Sequence, residues 1–279
     1  MEATVIAAIV TATGAVVAAG IAGWVALKKA QKEAERLGQE SQAADEAIEE
    51  VGVRVAYETE SFEATATFDE TGSGEQVRKW LGVRSLQDTI NLKIPCRFRF
   101  SIGAEAATPE ARELPGSVLA VHFEESGRSV SETDLTIDGN IVIDGPIGPN
   151  TGYVAFYTKN HFQHTFCMTR EEALEKYRNQ EINLEYASSY VASRTKVLRR
   201  SVVFPESHAS LTPPPQAIVF RGERGEIRDR VETERVARSL SNLDRSATLV
   251  VNGPLVGRRY AIAWSPPPRK TGGGNTVKT

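Results

Sequence analysis

Leu249-Val250-Val251-Asn252-Gly253-Pro254-Leu255, resumed by Tyr260-Ala261-Ile262-Ala263-Trp264, marks this chain as a β protein. An apolar β-branched run breaks on an Asx-Gly-Pro triplet and returns as a second apolar run, a pattern of strands rather than of helices. Gly253 supplies backbone freedom for the turn, while Pro254 fixes φ and cannot donate to a ladder, so the first strand has to stop there. The same pattern occurs earlier. Ile141-Val142-Ile143-Asp144-Gly145-Pro146-Ile147 is followed by Tyr153-Val154-Ala155-Phe156-Tyr157. Each copy is expected to be a closing hairpin whose tyrosine, Tyr153 or Tyr260, points inward.

A spacing of about 108 residues between the copies suits a duplicated all-β unit, not a short solenoid repeat. Upstream of each copy, Val118–Phe123 and Ala217–Phe220 are candidate equivalents, as are Arg97–Ser101 and Arg199–Phe204. Alternation with period two also predicts strands at 53–57, 62–68, 134–137 and 140–144. Short helices are predicted at Gln76–Leu81 and at Arg170–Gln180, the second with Thr169 as N-cap and Glu171 and Glu172 in its first turn. The repeated hairpin resembles the last two strands of immunoglobulin-like sandwiches, a resemblance of architecture that lacks the Cys-Trp-Cys spacing. It implies two tandem β-sandwich domains, 52–165 and 182–268, joined by a helical linker over 166–181. The tail 269–279, with its Gly272-Gly273-Gly274 run, is expected to be disordered.

Upstream of the β region the texture is different. Residues 3–27, ATVIAAIVTATGAVVAAGIAGWVAL, carry no charged side chain and end on Lys28-Lys29. As a helix this run is roughly 37 Å long, enough to cross a hydrocarbon core of about 30 Å. A secretory signal peptide would carry a basic n-region, whereas Glu2 is the only charged side chain before the run. A buried core helix would not sit beside so charged a continuation. Lys28, Lys29, Lys32 and Arg36 flank the run on one side only, which places the N-terminus outside and the β domains in the cytoplasm.

Small residues within the run fall on one helical stripe: Ala8, Ala12, Ala15, Ala19, Gly23, then Ala30, Ala34 and Leu37, with Gly14 and Ala18 on a neighbouring face. Such residues let helices approach closely in lipid. The stripe passes through a juxtamembrane helix over 28–50, so a self-associating helix and a homo-oligomer are expected.

The chemistry of the remainder is sparse. A formal charge of −3 argues against a nucleic-acid partner. Cys96 and Cys167 are the only cysteines and make no disulfide framework. His161, His164 and Cys167 are the one cluster of metal-ligand types, and they can converge only on a loop or helix, because positions three apart on a strand face opposite ways. Arg194, Lys196, Arg199 and Arg200 are candidates for an anion or head group. The run Glu223–Glu234 alternates in sign as a solvated helix or edge strand does.

No cofactor is expected. The function expected is that of a non-enzymatic single-pass membrane protein of the cell membrane. It self-associates through its small-residue helix and binds a cytosolic protein partner or ligand with its β domains. In a stronger form, recognition turns the helices into a permeable or signalling assembly, as in bacterial membrane-targeting defence effectors. The alternatives are a metal-dependent enzyme built on His161, His164 and Cys167, and an extracytoplasmic adhesion-like sandwich.

Overall fold

A computed structural model describes residues 57–101, 109–130, 134–177, 184–222 and 227–269. The run 3–27, the segment 28–50 and the stripe from Ala8 to Leu37 lie outside the described residues, as does the tail beyond Arg269. Among the described residues no helix is long and apolar enough to cross a membrane.

The described residues are mostly β-sheet and belong to one compact unit. Its strands in chain order are β1 (Tyr57–Phe68), β2 (Gly74–Ser85), β3 (Thr89–Ser101), β4 (Glu110–Glu113), β5 (Val121–Val130), β6 (Asp134–Ile147), β7 (Ala155–Phe162), β8 (Glu185–Tyr190), β9 (Arg194–Val203), β10 (Gln216–Arg221), β11 (Ile227–Arg228), β12 (Leu240–Leu243), β13 (Ser246–Asn252) and β14 (Arg258–Trp264). Two helices, α1 (Arg170–Lys176) and α2 (Arg230–Ala237), interrupt them. A seven-stranded sheet runs β12-β13-β9-β1-β2-β7-β4, a four-stranded sheet β11-β10-β14-β8 and a three-stranded sheet β3-β6-β5.

Alternation in the sequence explains which face each strand buries. In β1, Phe62, Ala64, Ala66 and Phe68 are buried while Glu63, Thr65 and Thr67 take the other side. Leu198, Arg200 and Val202 do the same in β9. The inward face of the seven-stranded sheet shares one apolar core with residues of both smaller sheets, among them Ile94 and Ile141 of the three-stranded sheet and Val219 and Ile262 of the four-stranded one. Aromatic rings fill two parts of it. Trp80 lies between Phe62 and Phe156 at 4.9 and 5.0 Å, and Phe68 meets Phe166 and Trp264 at 4.8 and 5.7 Å.

This arrangement differs from two tandem sandwiches. β1 pairs with β9 in parallel, Ala64 opposite Arg200 and Ala66 opposite Val202, so one sheet takes strands from both 52–165 and 182–268. Periodicity identifies strands but does not name their partners; β1 and β9 complete each other's backbone hydrogen bonds.

The two Asx-Gly-Pro segments differ from each other, and neither is a hairpin turn. Asp144-Gly145-Pro146 lies within β6, where Pro146 is opposite Ile90 of β3, and the chain leaves the three-stranded sheet for β7 only after Ile147, whereas Asn252-Gly253-Pro254 ends β13 and carries the chain from the seven-stranded sheet to β14 in the four-stranded sheet. Gly145 and Gly253 take φ of 106° and 58°, the region their lack of a Cβ opens. Tyr260 is fully buried as expected, but Tyr153 is 47% exposed.

Gln76–Leu81 is strand, not helix, because β2 is paired on both sides, with β1 and with β7. Asp134–Ile137 and Asn140–Asp144 belong to one strand, β6, and of the candidate strand Val118–Phe123 only the part from Val121 is strand, as the start of β5. Helix α1 ends at Lys176 and starts as read, Thr169 and Glu172 forming a capping box.

Two outcomes follow from this architecture. Thr169→Ala should lower stability to urea by about 1 kcal/mol, the usual cost of losing an N-cap. Expressed separately, fragments 52–165 and 182–268 should give no cooperative thermal transition by circular dichroism, whereas 52–268 should; cooperative melting of each alone would contradict the shared sheet.

Candidate functional site

Strand β9 sorts the predicted basic quartet into two groups. Arg194, Lys196 and Arg199 are exposed; Lys196 Nζ lies 3.6 Å from Glu60 Oε1 and Arg199 Nε 4.0 Å from Glu63 Oε1. Exposed pairs of this kind add roughly 0–1 kcal/mol. Arg200, next in sequence, takes the opposite side of the strand and is 1% exposed. Its Nε and Nη1 have no hydrogen-bond partner among the described residues.

The register places a second arginine beside it. Reading across the inward face, Leu249, Arg200, Ala64, Arg78 and Thr158 occupy one row on β13, β9, β1, β2 and β7, and Val202, Ala66, Gln76 and Asn160 occupy the next. Arg78 donates from Nε and Nη2 to Gln76 Oε1 at 3.1 and 2.9 Å, and its guanidinium lies 5.2 Å from the centroid of the Phe98 ring. Thr158 Oγ1 and Asn160 Oδ1 are buried without a hydrogen-bond partner among the described residues.

Burial, then repulsion from Arg78 and Arg259, pushes the Arg200 pKa down to about 9. Burial, opposed in part by Cys96 and reinforced by Arg259, pushes Arg78 down to about 10. Both remain cations at neutral pH. Leaving a buried charge uncompensated costs about 3–5 kcal/mol. Arg78 was concealed by the helical reading of Gln76–Leu81; its signal is the strand alternation of Gln76, Arg78 and Trp80.

The three metal-ligand types do not converge. His161 is exposed on β7 opposite Glu75, and His164 sits in a turn at φ 44° with Nδ1 3.1 Å from the Thr71 carbonyl oxygen. Cys167 is buried against Ala173 and Tyr177, and burial with the nearby Glu185 carboxylate pushes its thiol up to about 12. Among the described residues no group of three His, Cys, Asp or Glu side chains is placed to hold a metal ion. Cys96 and Cys167 are both free thiols.

Buried carboxylates are saturated with structural donors. Glu185 accepts from the Cys167 N–H at 2.8 Å, the Tyr177 hydroxyl at 2.6 Å and Lys176 Nζ at 3.2 Å. Asp229 caps α2 through the Glu232 N–H at 3.1 Å and accepts from Arg258 Nε at 2.8 Å. Burial raises the Asp229 pKa, but the Glu232 N–H and the Arg258 guanidinium outweigh it and hold the carboxyl below its ordinary value. Glu232 accepts from the Tyr260 hydroxyl at 2.5 Å and from Arg235 Nε and Nη2, each at 2.6 Å. Residues 229 and 232 lie within the sign-alternating run read as a solvated face, and both are 4% exposed. The partners that bury them, Arg258 and Tyr260, stand too far along the chain for a local pattern to reveal.

The 3₁₀ turn after β9 buries an imidazole. His208 is 1% exposed, its Nδ1 2.9 Å from Ser207 Oγ and its ring edge-on to Phe68 at 5.8 Å. Its Nε2 has no hydrogen-bond partner among the described residues, and burial lowers its pKa.

No family model matches the chain, and no curated protein matches it in sequence. Among solved structures, leukotriene A4 hydrolase from Saccharomyces cerevisiae aligns with a TM-score of 0.35 at 8% identity, over 75% of this chain and 29% of that one. An M1 zinc metallopeptidase from Deinococcus radiodurans gives 0.33 at 8%, over 74% and 42%, and a putative protease from Parabacteroides distasonis 0.32 at 8%, over 75% and 40%. The chain thus spans less than half the length of these structures, and a likeness at this level carries no argument about activity.

The depressed imidazole pKa of His208 sets a pH dependence. Its unfolded value is 6.5 and its folded value lies lower, so the unfolded state takes up the proton first as the pH falls. The contribution of neutral His208 is full above pH 6.5 and is lost below it, down to the folded pKa. Stability to urea should therefore decline as the pH falls below 6.5, and His208→Phe should flatten that decline.

Proposed function

We propose that this chain is a non-enzymatic single-pass membrane protein. Its N-terminal helix self-associates in the bilayer, and its β body faces the cytoplasm to bind a partner or ligand. The observation that carries the reading is the run 3–27, free of charged side chains and closed by Lys28-Lys29. Support for the non-enzymatic half comes from Glu185, Asp229 and Glu232, whose hydrogen bonds tie α1, α2 and β14 to the sheets.

In its stronger form, binding at the β body reorganises the small-residue helices into a permeable assembly. Ala, Gly and Thr along the run favour close helix contact over simple anchoring, since packing and interhelical hydrogen bonds drive association in lipid.

Fractionation of cells expressing the full chain tests the anchor. The protein should stay with membranes through alkaline carbonate extraction, and deletion of residues 1–27 should release it to the soluble fraction. Recovery of the full chain in the soluble fraction would overturn the reading. Gly14→Leu or Ala19→Leu should reduce cross-linked oligomers while leaving the membrane fraction unchanged.

A further inference from the structure

Arg200 combines near-total burial with two donor nitrogens, Nε and Nη1, that meet no acceptor among the described residues. A buried lysine can lose its proton, but a guanidinium keeps its charge, so Arg200 has to be met by negative charge or bear the cost. Its surroundings are arranged for the first outcome. Ala64, between Arg200 and Arg78 in the row, has no side chain beyond Cβ, so no longer side chain of β1 stands between the two arginines. With strands about 4.8 Å apart, the two arginine Cα atoms stand about 10 Å from each other, within reach of one shared ligand. Thr158 follows Arg78 in the same row, and its unpartnered hydroxyl can donate.

The geometry points to an internal anion site at which Arg200 and Arg78, with the Thr158 hydroxyl, hold one small oxyanion of the phosphate or sulfate class above Ala64. An oxyanion presents acceptor oxygens in several directions and so meets donors arriving from both sides, which a single-centre ion does not. A carboxylate or phosphoryl group on a larger molecule would have to bring its remaining atoms to a residue that is 1% exposed, which favours a free ion. The site stands independently of the membrane reading.

Equilibrium dialysis of the full chain in detergent with radiolabelled inorganic phosphate, in sodium chloride at constant ionic strength, tests it. The expected result is saturable uptake near one phosphate per chain, with a melting temperature that rises by about 5 °C or more at about a hundredfold excess over Kd. Arg200→Met should abolish both effects, and Arg78→Met should weaken binding by about tenfold or more. The outward-facing Arg199→Met should bind as the parent does. If Arg200→Met does not fold, Arg78→Met and Thr158→Val carry the same comparison. Absence of saturable uptake, uptake abolished by chloride alone, or parental binding by Arg78→Met and Thr158→Val would each overturn the site.

Discussion

The parallel pairing of β1 with β9 is the constraint on which the rest depends. It joins residues 58–67 to residues 194–203 in one register and places the two strands at the centre of the seven-stranded sheet. Every other strand of that sheet is attached through one of them, β2, β7 and β4 through β1, and β13 and β12 through β9. A parallel pair cannot close through a tight turn, so the long excursion between β1 and β9 is required, and the three-stranded sheet, β7, α1 and β8 are built within it. The same register sets Arg200 opposite Ala64 and Arg78.

The interior meets its charges unevenly. Glu185, Asp229 and Glu232 are each met by several donors, which repays much of their desolvation and locks α1 and α2 to the sheets. Arg200 has no such company, and Arg78 is met by an amide oxygen and an aromatic face in place of a carboxylate. A fold that meets its acids so fully and leaves two cations on its central strands in this state has concentrated its electrostatic cost at one place. That concentration makes the Arg200 row, and not the exposed Arg194, Lys196 and Arg199, the point where the β body has an unmet need for a ligand.

What could be read in the sequence was local. Strand character at Phe62–Phe68 and Leu249–Val251 follows from side-chain alternation and β-branching, and the Thr169 cap from a hydroxyl three residues before Glu172. Strand partners were not legible, because hydrogen bonding between β1 and β9 leaves no trace in either strand's own pattern. For that reason both Asx-Gly-Pro segments read as hairpin turns, when the first lies within β6 and the second is a corner between sheets. Arg200 was singled out for its charge, but its separation from Arg199 depends on the burial of one face of β9. Arg78 escaped notice because residues 76–81 favour helix when considered without β1 and β7 on either side.

Native-state hydrogen exchange of the backbone amides of β1 and β9 tests the shared sheet most directly. Amides of Ala64 and Ala66 and of Arg200 and Val202 should exchange through one common opening with the same free energy and the same denaturant dependence. Exchange of the β1 amides through an opening of residues 52–165 that leaves the β9 amides protected would contradict it.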